Sequence, residues 1–311
     1  MAVTDRVVVL RALGLGDLLT GVPALRGLRR ARPDAEIVLA APQRYAALAK
    51  LTGAVDVVAP TPGLGRLSTD LSRPALAVNL HGSGPESIAD LLALQPDSLL
   101  SHRHEAFGDL PGPPWRADLH EVDRWCALLA TAGMSCDPTD LRISPPAESD
   151  RPAVVVIHPG AASPARRWPA DRFAAVARAM HDAGHDVVVT GDRSEADLAL
   201  SVVRQAGLPD SALLAGRLDL LELVTLIAGG HLLICGDTGV AHIATATGTP
   251  SVLLFGPTPP SRWGPRTAGR HIVLWAGESG DPHAGEPHTG LLRITTAAVL
   301  DAAESPHRAR V

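Results

Sequence analysis

Short apolar runs alternate with amphipathic stretches of helical period along most of this chain. Arg6–Arg11 reads as a strand, Asp17–Arg30 as a helix, Glu36–Ala41 as a strand and Gln43–Leu51 as a helix, because apolar runs and apolar positions at three- and four-residue steps mark the two kinds of element. Further strands are expected at Val55–Val58, Leu76–Leu80 and Ser98–Leu100, and a long helix at Leu119–Ala132. This βαβα rhythm predicts a parallel, doubly wound sheet.

The pattern breaks at Ile143–Pro152, "ISPPAESDRP", where paired prolines and polar residues extend neither element and suit an exposed connector. The domain boundary is placed there, giving domains 1–147 and 148–311. The rhythm then restarts. Strands are expected at Ala153–His158, Asp186–Thr190, Leu232–Cys235 and Ser251–Phe255, and helices at Pro169–Ala183, Glu195–Ala206, Leu220–Ala228 and Val240–Thr247. Gly277–Gly290 is rich in Gly, Pro and His and reads as a surface loop, and Thr295–Glu304 as one more helix. No period of 20–50 residues recurs, which argues against a solenoid. The outcome is an α/β protein of two successive Rossmann-like halves.

Composition narrows the function. A chain of 311 residues with 46% hydrophobic and 20% charged residues suits a globular protein of about two domains. A net charge of -5 and a pI near 6.2 leave no basic excess, which argues against a nucleic-acid partner but leaves room for a ligand with a few phosphates. Cys126, Cys136 and Cys235 are too few and too scattered for a disulfide framework or a zinc site. No apolar run approaches the ~20 residues of a membrane span, and Asp5 and Arg6 interrupt the place of a signal-peptide core. A cytoplasmic location is expected. Aromatic content of 3% argues against a base- or sugar-stacking platform.

Four constellations carry candidate chemistry. In "VVVLRALGLGDLLTGVPAL" a strand runs through Arg11 into Gly14, Gly16 and Asp17 before a helix. A dinucleotide fingerprint fails here, because Leu19 stands at the third glycine position and Ala40-Ala41-Pro42 where a ribose-binding carboxylate belongs. Asp17, at the carboxyl edge of the sheet, is either a helix cap or a general base, and the two roles are compatible. In "VIHPGAASPARRWPADRF", Ser163 and Arg166 sit at a helix entrance and suit phosphate oxygens, the alternative being a solvated basic pair with Trp168 packed as a staple. In "LLICGDTGVAHIATATGTPSVLLFGPT", Asp237 stands where an N-cap belongs, Thr238 and Gly239 open the next helix, and Gly256 ends the following strand. His242 on that helix is either a satisfied core histidine or a donor to a phosphate or sugar oxygen. In "GDRSEADLA", Glu195 lies where a carboxylate can accept two ribose hydroxyls, or where the helix dipole alone favours it. His283 and His288 have only soft loop spacing for a metal.

In this order and spacing, these elements and "NLHG" resemble glycosyltransferase family 9, the bacterial ADP-heptose:lipopolysaccharide heptosyltransferases and their relatives. The resemblance implies a GT-B fold, with an N-terminal acceptor domain, a C-terminal nucleotide-sugar domain, the active site in a cleft between them, and a last helix, about 295–304, that packs back on the N-terminal domain. It implies Asp17 as general base and Asp237, Thr238, Gly239 and His242 along the donor phosphates and sugar. Glu195 falls on a ribose-binding glutamate. Arg166 stands where the family has a phosphate-binding lysine, keeping the charge and changing its shape. Ser163 and Gly256 complete the expected donor site, with Gly14, Gly16 and Arg11 as further loop contacts.

The activity implied is an inverting transfer from an ADP-sugar, heptose in the family, to the hydroxyl of a glycan, glycolipid or small-molecule acceptor. The donor is a substrate, and no cofactor is expected. No D-x-D element stands beside these motifs, in keeping with a metal-independent reaction. No transmembrane segment is expected, and peripheral membrane association fits a glycolipid acceptor. Acceptor pockets are expected in the loops Gly63–Ser72 and His102–Trp115. The alternatives are a GT-B transferase or epimerase using another nucleotide sugar, and a non-catalytic nucleotide-sugar-binding protein.

Overall fold

Strand β1 (Arg6–Leu10) has Val7, Val8, Val9 and Leu10 all fully buried, the mark of a strand covered on both faces, as in doubly wound sheets. The computed structural model describes residues 5–151, 153–266 and 270–308, with side chains as far as Glu304. The chain divides into two compact units, Met1–Leu141 and Arg142–Val311.

In the first unit β1 lies at the centre of a five-stranded sheet with β2 (Glu36–Ala41), β3 (Val57–Pro60), β4 (Leu76–Asn79) and β5 (Leu99–Leu100), in the order β3-β2-β1-β4-β5. All pairings are parallel, and Val8 stands opposite Val38 on one side and Ala77 on the other. The loops that follow β1 and β4 therefore emerge side by side at the carboxyl edge. The expected helix Asp17–Arg30 is two helices, Leu15–Thr20 and Val22–Ala31, broken at Gly21. The reason is local. Pro23 has no N–H to continue the first helix, and a Cβ at Gly21 would stand 2.9 Å from Arg11 Nε. The helix Pro85–Ala93 was not among the expected elements; proline at its start and buried Ser87, Ile88 and Leu91 are the signal for it.

The second unit repeats the plan with β6 (Val155–His158), β7 (Val187–Val189), β8 (Leu232–Gly236), β9 (Ser251–Phe255) and β10 (His271–Trp275), in the order β10-β9-β8-β6-β7, again all parallel. Central β8 has Leu232, Leu233, Ile234 and Cys235 fully buried. Edge strand β10 was not expected. It is only half-buried, and a short apolar run with one neighbour gives a weak periodic signal. Ile143, read as connector, is buried and donates its N–H to Ala246 O at 2.9 Å, so it belongs to the second unit. The last helix, Thr296–Arg308, places Val299, Ala302 and Ala303 in the core of the C-terminal unit beside Phe173 and Leu254. Among the described residues no helix is long and apolar enough to cross a membrane.

The N-terminal unit is tied together by a buried cation. Arg11, 1% exposed, donates from Nε to Asp17 O and from NH1 to Leu80 O. Its NH2 reaches Thr20 Oγ1 at 3.1 Å and Glu121 Oε1 at 3.2 Å. Glu121, itself buried, also accepts from Trp125 Nε1 at 2.7 Å and from Arg124. The Arg11 guanidinium lies over the Trp125 ring at 5.0 Å. One side chain thus joins the loop after β1, the end of β4 and the helix Glu121–Ala130. Removing one partner of a buried pair costs about 3–5 kcal/mol, whereas exposed pairs contribute about 1 kcal/mol or less. In urea denaturation, Arg11→Met is expected to lower the unfolding midpoint far more than Arg6→Met, whose 2.9 Å pair with Glu36 is about one-third exposed. Equal effects of the two would show that Arg11 does not hold the unit together.

Candidate active site

At the carboxyl edge of the second sheet, three loops converge over the ends of β8 and β9. The first, Ser163–Arg166, is a turn of 3-10 helix. It lies close on the sheet because Gly236 and Gly256 lack side chains: a Cβ there would stand 2.9 Å from Arg166 O and 3.4 Å from Ala165 O. The second is the mouth of the helix Gly239–Thr247. Thr238, its N-cap, has extended backbone and makes no side-chain cap bond, so the first-turn amides keep the positive end of the helix open. The third is the surface loop Gly277–Gly290. It is bonded down, with Gly280 N to Pro257 O at 2.9 Å, Ala165 N to Ala284 O at 3.2 Å and His288 N to Ala165 O at 3.2 Å.

Arg166 stands among these loops. Its NH1 makes a long 3.4 Å contact to Asp237 O, and its Nε–H is buried with no hydrogen-bond partner among the described residues. A buried donor without a partner carries a desolvation penalty, so an acceptor atom brought to it by a ligand is favoured. Its neighbour Arg167 closes the loop internally, Nε to Ala161 O at 2.8 Å, and Trp168 is core, packed edge-on to Phe173 with Nε1 bonded to Ile294 O at 3.0 Å. Asp237 was expected to cap the helix, but the cap is Thr238. Asp237 is buried, accepts a hydrogen bond from Thr258 and faces Arg166; burial pushes its carboxyl up to about 6 against the lowering influence of Arg166 and Thr258.

Beside β7, Glu195 ends a short turn fixed by Asp192. Asp192 Oδ1 accepts from Ser194 N at 2.7 Å and Glu195 N at 3.1 Å, while Glu195 Oε2 accepts from Asp192 N at 3.0 Å. The Glu195 carboxyl rests directly on Gly160, where a Cβ would stand 2.1 Å from Oε1. Buried His158 places Nε2 at 3.8 Å from Glu195 Oε2 and Nδ1 at 3.0 Å from Thr190 Oγ1.

At the edge of the first sheet, Asp17 is the third residue of its helix, and the cap is Gly14. Its Oδ2 accepts from Gly14 N at 3.0 Å, and its Oδ1 lies 3.9 Å from Arg11 NH2. The carboxyl is one-quarter exposed. Burial pushes it above the ordinary carboxylate value of 3.8, with Arg11 opposing and Glu121 assisting. It is a basic carboxylate with a free face, suited to accepting a proton.

The structure thus brings Ser163, Arg166, Asp237, Thr238, Gly239 and Gly256 to one sheet edge, and Glu195 to the far end of the same edge. His242 is buried in its helix with its ring edge-on to Trp263 at 5.9 Å. Arg11 is corrected from loop contact to internal brace, because its guanidinium is fully buried in protein bonds. Gly14 caps the Asp17 helix and Gly16 lies in its first turn, accepting from Thr20 Oγ1 at 2.9 Å. His288 Nδ1 caps Gly290 at 3.2 Å, and among the described residues no three His, Cys, Asp or Glu cluster to hold a metal. Sequence reasoning passed over His158, Thr190 and Thr258 as site residues; each stands at or just beyond the end of an apolar strand, which is the signal they carry.

Comparison with known proteins places this geometry. The model of glycosyltransferase family 9 (heptosyltransferase) matches residues 114–288, more than half of the chain. Lipopolysaccharide heptosyltransferase 3 of Escherichia coli is 36% identical over 126 residues, which is 40% of this chain. The match spans 37% of that protein, well under half its length. Among solved structures, the glycosyl transferase family 9 protein from Veillonella parvula DSM 2008 superposes with a TM-score of 0.82 at 23% identity over 98% of each chain. E. coli heptosyltransferase WaaC with ADP gives 0.71 at 17% identity, over 97% of this chain and 98% of that one. The fold is GT-B, built from two Rossmann-like domains. Since the Ser163–Arg166 loop, Glu195 and the Asp237–His242 segment all lie inside the matched span, the chain belongs to glycosyltransferase family 9.

Proposed function

We propose that this protein is an inverting glycosyltransferase that moves a sugar, heptose as in its named relatives, from an ADP-sugar to an acceptor hydroxyl. The observation that carries the reading is Arg166: a half-buried arginine whose buried Nε–H has no hydrogen-bond partner among the described residues, beside the open amides of Thr238 and Gly239. That is a site for diphosphate oxygens. The name of the E. coli relative and the ADP bound to heptosyltransferase WaaC support the choice of sugar and nucleotide. The C-terminal unit is the donor domain, and the N-terminal unit binds the acceptor through the loops after β3 and β5.

In the reaction, the acceptor hydroxyl oxygen forms a bond to the anomeric carbon as the bond from that carbon to the diphosphate oxygen breaks. Asp17 takes the hydroxyl proton. Arg166, Ser163 and the helix-mouth amides stabilise the negative charge that grows on the departing diphosphate. A single displacement inverts the anomeric centre. Asp237, largely ionised near pH 7 at a pKa of about 6, keeps the Arg166 side of the pocket polar. Glu195 accepts hydrogen bonds from the ribose. The acceptor is a glycan, a glycolipid or a small hydroxylated molecule, and a glycolipid would bring the enzyme to a membrane surface.

Loss of a positioned base lowers turnover by ~10²–10⁴-fold. Asp17→Asn is accordingly expected to lose kcat on this scale while its affinity for ADP, measured by calorimetry, stays within about twofold; full activity in the folded variant would leave Asp17 a structural residue only. Because Asp17 must be ionised to accept a proton and burial raises its pKa, kcat/KM is expected to fall on acidification at a pH above the ordinary carboxylate range. An acid limb at or below pH 3.8 would contradict that role. Hydrogen bonds to charged groups contribute ~1.5–3 kcal/mol. Arg166→Ala should therefore weaken ADP binding by ~10–100-fold, and unchanged binding would remove the diphosphate site.

A further inference from the structure

The donor reading leaves unexplained why a buried histidine faces the carboxylate assigned to the ribose. His158 ends β6, 5% exposed, in a position where an aliphatic residue would continue the strand. Burial holds its pKa below the ordinary value, and the charges that face it, Glu195 and Asp192, only partly offset this, so the ring is neutral near pH 7. A neutral imidazole has one N–H, and Thr190 and Glu195 together select which nitrogen carries it. The Thr190 hydroxyl lies 3.0 Å from His158 Nδ1 but 3.4 Å from Ile157 O, a carbonyl that already accepts the Thr190 N–H at 2.9 Å. The hydroxyl can donate or accept at Nδ1, and the carboxylate that faces Nε2 favours the hydrogen there, so Nδ1 accepts from Thr190 and Nε2 carries the hydrogen. That N–H then faces Glu195 Oε2 at 3.8 Å. The opposite tautomer would set a lone pair against a carboxylate, which is repulsive.

The Glu195 carboxylate is thereby fixed on three sides. Oε2 accepts the Asp192 N–H and faces the His158 N–H, and the carboxyl plane rests on the bare Cα of Gly160. Oε1 makes no hydrogen bond among the described residues and is left to accept from outside. We propose that His158 is a positioning residue for the donor's ribose: set by Thr190, it holds Glu195 so that Oε1 meets the 2′-hydroxyl of the nucleotide. This rests on the donor reading above, and adds that recognition of a ribonucleotide over its deoxy form runs through a Thr190–His158–Glu195 relay that itself touches the ligand only at Glu195.

The test is calorimetric binding of ADP and of 2′-deoxyADP to the wild type, His158→Gln, His158→Asn and Thr190→Val. A hydrogen bond to a well-oriented carboxylate corresponds to about tenfold or more in affinity, so the wild type is expected to prefer ADP by that factor. His158→Gln keeps an N–H near the position of Nε2 and should keep most of the preference. His158→Asn reaches only Thr190, and Thr190→Val removes the hydroxyl that holds Nδ1; both should bring the preference to within about threefold while affinity for 2′-deoxyADP stays at the wild-type value. A purely structural role would weaken both nucleotides alike, and that result overturns the proposal, as does full discrimination by His158→Asn or, should that variant fail to fold, by Thr190→Val. Wild-type protein that binds ADP and 2′-deoxyADP equally also overturns it while leaving the diphosphate site standing. Failure of the wild type to bind ADP at all would remove the donor reading and this relay with it.

Discussion

A guanidinium enclosed in protein has to meet acceptors on every side, and in the N-terminal unit that requirement organises the structure around Arg11. Its partners are a carbonyl of the helix start, a carbonyl at the end of β4, a threonine hydroxyl and the carboxylate of Glu121. These come from segments as far apart as residues 17 and 121, so the ends of two neighbouring strands and the helix Glu121–Ala130 are registered by one charge. Coulombic attraction inside protein is strong only when desolvation is matched by close geometry. Here it is matched by hydrogen bonds at each nitrogen and by the Trp125 ring. The consequence at the surface is the setting of Asp17. The carboxylate is close enough to Arg11 to be held, at 3.9 Å, yet not directly hydrogen-bonded to it, so burial dominates and it stays basic.

The C-terminal unit uses the same residue type to the opposite end. Arg11 is saturated, whereas among the described residues the Arg166 Nε has no partner and its NH1 makes a long backbone contact. The difference is supplied by glycines. Gly236 and Gly256 let the Ser163–Arg166 backbone settle on the strand ends, which carries the side chain to the mouth of the next helix before any protein acceptor can satisfy it. Asp237, the nearest anion, is pulled toward its neutral form by burial and is engaged by Thr258. A cation with a buried donor left unpartnered among the described residues is ready for a polyanionic ligand.

Much of the framework was legible. Val7–Leu10 and Leu232–Cys235 read as strands and are central and fully buried, because a strand with both faces covered must be apolar throughout. The grouping of Ser163, Arg166 and Asp237–Gly239 at one sheet edge also followed, since parallel strands release all their loops on the same side. The single helix expected across Asp17–Arg30 is broken at Gly21, for which Pro23 is a local signal, while the close approach of the Arg11 side chain to Gly21 has none. Gly277–Gly290 reads as a surface loop and is largely exposed, and what composition could not show is that its backbone is bonded to Ala165 and Pro257.

By itself the sequence determined which residues lie at the ends of strands and at the starts of helices, and with them the family and the chemical types available, since those follow from local spacing and residue type. Only the tertiary structure decided what each group does there. Arg11 and Arg166 are the same residue type at the same kind of strand-to-helix loop, and Asp17 and Asp237 are both aspartates near a helix start. One arginine is sealed and the other is open; both aspartates face an arginine, but Asp17 accepts from its own helix cap and Asp237 from Thr258. These differences come from burial and from partners distant in the chain, which set hydrogen-bond satisfaction and pKa and which no local pattern encodes.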